Sequence, residues 1–482
     1  MRYRLVGGIS AVVVFILNVT TMASAQPIFT ILHNIGGHAD GYYPQAGLIS
    51  VSNRLYGTAL SDGNYGYGMV FAINSDGTGF TNLYSFTGLP YWLHGTNTDG
   101  AYPFSDLVLS GDSVYGTAWI GGYSDLGTVF KVSTNGTAFT NLFNFSGTND
   151  GAYPFAGLML AGNTLYGTTS AGGSSGNGAV FAIRTDGTGY TNLYSFSQFD
   201  PTIQTNTDGA NPRAQLLLAG SMLYGTAPNG GYSGCGTIFR IKIDGTGFTN
   251  LYNFTALDPT TQTNLDGAHP YAGLVLSSNT LYGAAFQGGS SGYGTIFKIN
   301  TDGSEFINLH SFPPSTDPQN FLPVNAEGAY PYGSLIISGN TLYGTAQEGG
   351  YTGSGTVFAL NTDGTGFTRF YSLGKSGDGY WPMAGLVLVG NTLYGTTSGG
   401  GSSFYGTVFA LTLTPSLGIV LAGNQVIVSW PTWAPNFTLQ ITTNLSSGAW
   451  GEVTNAASIV SGNYVVTNAV SGNIMFFRLE GQ

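Results

Sequence analysis

Short runs of alternating apolar and polar residues, broken at close intervals by Gly, Asn, Asp or Ser, occupy the chain from about residue 29 to 413. The runs come in sets of four. In one set the first run follows Pro154 and stops at a Gly162-Asn163 turn. The second is a Leu-Tyr-Gly-Thr segment, the third Val-Phe-Ala-Ile, and the fourth Thr-Asn-Leu-Tyr-Ser-Phe. Each run has the length and period of a half-buried strand. Asn-Ser-Asp-Gly-Thr-Gly at 74–79 and its relatives join third to fourth runs, and Asp and Gly there tolerate the positive φ of a tight hairpin.

The sets repeat with fixed internal spacing. Seven prolines (Pro44, Pro103, Pro154, Pro212, Pro270, Pro331, Pro382) are each followed twelve residues later by the Tyr of the second run, then after fifteen by the Phe of the third. Only the step from the aromatic that opens the fourth run to the next proline varies, from 15 to 25 residues. Four-stranded antiparallel units repeated in this way predict an all-β, seven-bladed β-propeller. The last set lacks a fourth run, and an orphan fourth run, Phe29 to Ile35, precedes the first set. The N-terminal strand is therefore expected to close the last blade and remove two open edges.

From about Pro415 the pattern changes to short strands with Trp430, Trp433 and Trp450 among them. This predicts a small C-terminal β-sandwich of immunoglobulin or fibronectin type over 415–482, with those tryptophans in its core. At the other end, Arg2 and Arg4, an apolar stretch from Leu5 to Val19 and the small residues Ala23-Ser24-Ala25 form a signal-peptide pattern over 1–25. The propeller is expected over 26–414, on a secreted or cell-surface protein with no transmembrane segment after signal removal. Cys235 stands alone, so no internal disulfide forms and packing must hold the fold.

Composition narrows the partners. Only 7% of residues are charged, aromatics reach 14%, and the net charge is −11. That balance argues against nucleic acid or an anionic membrane.

The recurring L-Y-G-T, G-T-V-F-A-I-N-T-D-G-T-G-F and D-G-A-Y-P-F-A-G-L blocks resemble the GloVer (Gloeo/Verruco) tandem repeat of secreted bacterial proteins, over roughly 385 residues. The resemblance implies export and repeat type only.

Function is sought on the face that collects the variable interblade loops and the Gly-rich loops, since variable loops on a fixed scaffold carry recognition. Tyr91 and Trp92 lie in a long interblade loop and suit stacking on sugar rings. Trp119, Tyr65, Tyr67, Tyr232, Phe404 and Tyr405 occupy Gly-rich loops and serve either recognition or loop anchoring. One acid precedes each proline: Asp40, Asp99, Asp150, Asp208, Asp266, Glu327 and Asp378. They form either a circle of charge near the central channel or a set of turn caps. Symmetry breaks in the fourth and fifth copies. Asn211 and His269 replace an aromatic before the proline, and Arg213 follows Pro212, so that Asn211, Arg213 and His269, flanked by Asp208 and Asp266, form the best polar cluster. Asp106 and Gln215 replace a common Gly with no evident chemical role.

No zinc helix or cysteine cluster occurs in the sequence, and no cofactor or metal is expected. The reading is a secreted, non-catalytic propeller that binds a polysaccharide or cell-surface protein through the variable-loop face. A polysaccharide lyase or glycoside hydrolase using His269 and Arg213 is the catalytic alternative, and a structural surface component is the third.

Overall fold

The glycine in each Leu-Tyr-Gly-Thr strand is required because a phenylalanine crosses it. Gly57 pairs across the sheet with Phe71, and a Cβ on Gly57 would come within 2.8 Å of the Phe71 ring. Gly225 and Phe239 repeat the arrangement at 2.5 Å. The ring of Phe71 or Phe239 lies in this slot with no solvent exposure. Two recurrent motifs thus form one packing device, a ring laid over a bare backbone.

The computed structural model describes residues 27–481 apart from 38–39, 89–95, 201, 204, 318–321, 416, 423–424, 435–436, 444–448, 461–462 and 470–474. The expected signal segment lies outside the described residues. Among the described residues every named element is a strand, and no helix is long and apolar enough to cross a membrane.

The larger compact unit comprises Phe29–Val389 and Leu393–Leu411. Among the described residues it has seven four-stranded sheets. Sheet 1 runs Ile49–Val51, Arg54–Ala59, Met69–Asn74 and Thr81–Ser85, each strand hydrogen-bonded to the next. Sheets 2 to 6 repeat the order, beginning at Val108, Met159, Leu217, Val275 and Ile336. Sheet 7 takes Val387–Val389, Thr392–Thr397 and Thr407–Thr412 from the end of the repeat, and its fourth strand is Ile28–Asn34 from the start. The N-terminal strand therefore completes the last sheet, as the sequence predicts. In sheets 1 to 6 the register between third and fourth strands shifts at the buried Phe, a bulge at one site in each.

One seam recurs between neighbouring sheets. On the outer strands Tyr84 stacks on Phe139 at 3.8 Å, Phe143 on Tyr190 at 4.0 Å, Tyr194 on Phe248 at 3.8 Å and Tyr252 on Phe306 at 3.8 Å. His310 on Phe367 at 4.3 Å and His33 on Phe80 at 4.0 Å continue it. The N-terminal strand joins by the same contact, Tyr371 on Phe29 at 4.2 Å. Deeper in, a strand-two threonine hydroxyl donates to the carbonyl two residues after the next sheet's proline. Thr226 reaches Ala272 at 2.9 Å, Thr345 reaches Ala384 at 2.9 Å, and Thr396 reaches Ala46 at 3.1 Å. The last bond links sheet 7 to sheet 1 with the geometry used elsewhere.

The second unit, built around Thr412–Gln482, has a sheet of Gly418–Ala422, Gln425–Pro431, Asn463–Ala469 and Ser458–Val460. A second sheet holds Gly451–Glu452, Phe437–Thr442 and Phe476–Gly481. Its core is Val426, Val428, Trp430, Ala434, Leu439 and Val466, with Trp433 packed against it. Trp450 departs from expectation. It is half-buried under the Arg478 guanidinium at 4.6 Å, outside that core.

Ile35 follows the N-terminal strand, is fully buried against the first sheet's core, and its N–H donates to Gly406 O at 3.0 Å. Ile35→Ala should lower unfolding free energy by about 2–5 kcal/mol. Denaturation midpoints for Ile35→Ala and for Tyr65→Ala, a change at an exposed ring, check this. Equal midpoints would show that the N-terminal strand does not secure the last sheet.

Candidate functional site

The residue before each proline adopts a left-handed backbone: Tyr43, Tyr102, Tyr153, Asn211, His269, Tyr330 and Trp381 all have φ between 55° and 58°. Each N–H donates to a Gly-rich-loop carbonyl of the preceding sheet; Asn211 reaches Asn177 and His269 reaches Cys235, both at 2.9 Å. Asn and His tolerate this conformation better than most side chains. That preference alone accounts for their presence in copies four and five. Their side chains are also engaged locally. The Asn211 amide donates to Ser170 O at 2.8 Å and accepts from Asn229 at 3.1 Å, while His269 Nδ1 lies 2.8 Å from Pro228 O.

Of the acids that enter this turn, Asp99, Asp208, Asp266 and Asp378 are buried acceptors. Asp208 accepts from the Tyr194 hydroxyl at 2.6 Å and from Ser197 N at 2.9 Å, and also from the Ser197 hydroxyl. Asp266 takes Tyr252 at 2.9 Å, Thr255 N at 2.8 Å and the Thr255 hydroxyl at 2.5 Å. Asp99 and Asp378 hold Tyr84 and Tyr371 in the same way, at 2.7 and 2.8 Å. In two copies histidine stands in for tyrosine: His33 beside Asp40 at 3.3 Å and His310 beside Glu327 at 2.9 Å. Burial holds His310 below the usual imidazole range, against the opposing pull of Glu327. These carboxylates clamp the outer strand of one sheet to the entry of the next. None of them lines the cavities described below.

The prolines instead aim the next residue inward. Gln45, Phe104, Phe155, Arg213, Tyr271, Tyr332 and Met383, one from each sheet's entry, line a cavity of about 70 Å³. Two residues further on, Asp106, Gln215 and Ser334 line this cavity as well as a deeper one of about 490 Å³. The deeper space is walled by first-strand residues such as Ile49, Leu109, Leu217, Val275 and Ile336. Its walls are mostly apolar.

Each of the three polar residues at the junction is tied to the preceding sheet. Asp106 Oδ1 accepts from Gly47 N at 2.5 Å, Gln215 donates to Leu158 O at 2.7 Å, and Ser334 accepts from Gly273 N at 2.9 Å. This supplies the role for Asp106 and Gln215 that sequence alone does not show. The signal was present as a departure from glycine in a repeat column. What was missing was the knowledge that this column faces inward.

Of the predicted cluster, Arg213 alone lines the cavity; Asn211, His269, Asp208 and Asp266 do not. Tyr91 and Trp92 lie outside the described residues. Arg213 is the single Lys or Arg among the lining residues. Its guanidinium carbon sits 4.7 Å from the Phe155 ring and 5.8 Å from the Tyr271 ring. Burial pushes the Tyr332 phenol up, with Arg213 pulling the other way.

The loop aromatics divide into two groups. Trp119 packs against Phe155 at 5.2 Å, and Tyr405 stacks on Tyr42 at 3.7 Å; these anchor loops. Tyr65, Tyr123, Tyr232, Tyr351 and Phe404, from five Gly-rich loops, are 59–72% exposed. Each projects from the connection between second and third strands of its sheet. The N-x-D-G-x-G hairpins close on themselves, with Asp76 Oδ1 accepting from Thr78 N at 2.9 Å and from its hydroxyl at 2.7 Å. Those bonds hold the Asp76 carboxyl below its ordinary range. Among the described residues no three His, Cys, Asp or Glu side chains group as metal ligands.

Burial pushes the Asp106 carboxyl up, and the Gly47 amide offsets part of that. A folded-state pKa above the unfolded one favours folding below the ordinary carboxylate range, and that contribution is lost as pH rises through the folded value. Asp106→Asn keeps an oxygen for Gly47 and removes the charge. Thermal unfolding from about pH 4 to about pH 8 should show the variant gaining on the wild type as pH rises. The opposite trend would mean that the ionised carboxylate is stabilised in place.

The Gloeobacter/Verrucomicrobia repeat matches residues 18–205, 202–324 and 320–423. No curated protein matches the chain. Among solved structures it is similar to an oligogalacturonate lyase in complex with manganese (10% identity, 82% of this chain, 94% of that one, TM-score 0.48). It is also similar to the GH74 enzyme of Niastella koreensis (15% identity, 90% of this chain, 68% of that one, TM-score 0.44). A third similarity is to TolB from Acinetobacter baumannii, of which it spans less than two thirds (13% identity, 65% of this chain, 62% of that one, TM-score 0.37). Matched along most of its length, the chain belongs to the Gloeobacter/Verrucomicrobia repeat family.

Proposed function

We propose that this protein is an exported, non-catalytic, seven-bladed propeller that binds a glycan through the face bearing its Gly-rich loops. In this reading residues 1–25 direct export, 26–414 form the ring closed by the N-terminal strand, and 415–482 form a small immunoglobulin- or fibronectin-like sandwich. The observation that carries the reading is the set of five exposed rings, Tyr65, Tyr123, Tyr232, Tyr351 and Phe404, at corresponding loops of five sheets. An aromatic ring held out on a short loop offers a flat apolar surface to the C–H face of a sugar at small entropic cost. The loops are pinned from behind, the Ser233 hydroxyl donating to Phe254 O and the Thr352 hydroxyl to Leu373 O at 2.7 Å. Arg369 backs the Tyr351 ring at 4.0 Å, which fixes its orientation while leaving it 68% exposed. The catalytic alternative needs His269 beside Arg213 in one pocket. The engagement of His269 with Pro228 O weighs against it.

Glycan-array screening followed by titration calorimetry tests the proposal. Single changes Tyr123→Ala, Tyr232→Ala and Tyr351→Ala should each weaken binding about two- to tenfold, as expected for one aromatic contact of about 0.5–1.5 kcal/mol. Binding that is confined to protein ligands, or indifferent to all three changes, contradicts the glycan reading.

A further inference from the structure

The seven residues that follow the prolines form the wall of the smaller cavity, and six of them are uncharged. The seventh, Arg213, has its guanidinium against the Phe155 and Tyr271 rings. Among the described residues the ion pairs are His33–Asp40, His310–Glu327 and Arg478–Glu480, and Arg213 is in none of them. Its Nε is buried and has no hydrogen-bond partner. A guanidinium with rings on its faces keeps its in-plane N–H fork for a planar anion, because stacking does not use those donors. Such a fork, half-buried and without a carboxylate, is an incomplete site.

The cavity beside Arg213, about 70 Å³, adjoins the space of about 490 Å³ through Asp106, Gln215 and Ser334, so there is room for a carboxylate at the guanidinium. The net charge of −11 opposes a polyanion at long range, so the acid must be isolated on a neutral chain. Asp106 lines the same cavity, is not ion-paired with Arg213, and is tied to Gly47. Its charge would disfavour any anion beside it.

We propose that Arg213 receives the carboxylate of a single uronic acid residue carried on an otherwise neutral glycan. This deepens the glycan reading above and rests on it.

The test uses the full mature chain and two probes, a neutral xylo-oligosaccharide and the same oligomer bearing one glucuronic acid. The wild type should bind the acid-bearing oligomer about tenfold more tightly, or more, as expected for a charge-assisted hydrogen bond. Arg213→Gln should remove that preference while leaving affinity for the neutral oligomer unchanged. Arg213→Lys, which keeps the charge without the fork, should retain part of it. Asp106→Asn should strengthen it. Thermal unfolding of each variant identifies any that fails to fold, and the Lys variant then carries the comparison. If both oligomers bind equally and the tyrosine changes still weaken them, the Arg213 assignment is wrong and the glycan reading stands. If neither oligomer binds and array screening finds no other glycan ligand, both are wrong. Binding of a Glu-containing peptide in place of the acid-bearing oligomer overturns the assignment in favour of a protein ligand.

Discussion

Flat stacking of an outer-strand ring on the opening aromatic of the next sheet organises the larger unit. The contact recurs seven times, from Tyr371 on Phe29 through His310 on Phe367. It determines what surrounds it. A stacked tyrosine points its hydroxyl at the connection to the next sheet, and the acid of the Asp-Gly pair accepts it. That acid in turn holds the turn leading into the strained residue before proline. The low charge content follows, because a seam of this kind uses neutral rings and buried acceptors where other proteins use surface ion pairs.

The seam also prepares the cavity mouth. A residue held at positive φ is locally unfavourable and persists where its surroundings fix it. Here the fixing contacts are the N–H bond to the preceding loop and the clamped acid beside it. The proline that follows fixes the next φ, so the direction of residues such as Arg213 and Tyr332 is set before any ligand arrives. Asp106, Gln215 and Ser334 then cross-link neighbouring sheets just below. Preorganisation of this kind lowers the ordering cost of binding.

Much of this was legible in the sequence. Constant spacing and turn chemistry give the four-strand sets, and the missing fourth run at the end gives the partner of Phe29 to Ile35. Arg213 was visible as an odd residue in a repeat column. Its grouping with Asn211 and His269 was not supported, because neighbours in sequence at a left-handed turn point in different directions, and φ cannot be read from residue type. The circle of acids was legible as a pattern, but its tyrosine partners come from the preceding sheet, in a register that only the folded chain supplies. Trp119 and Tyr232 sit in comparable loops, yet one is packed and the other exposed. The difference lies in the size of the side chains around Trp119, where Phe104 and Phe155 make a nest.

The joining of Ile28–Asn34 to Thr407–Thr412 has a temporal side. Synthesis delivers the first of these strands before its partner, with six complete sheets made in between. Throughout that interval the early strand has a bare hydrogen-bonding edge, the kind of surface that pairs with another copy when chains are crowded. Final assembly is thus a contact between distant parts of one polymer, slow by topology, and it cannot begin until Thr407–Thr412 has been made.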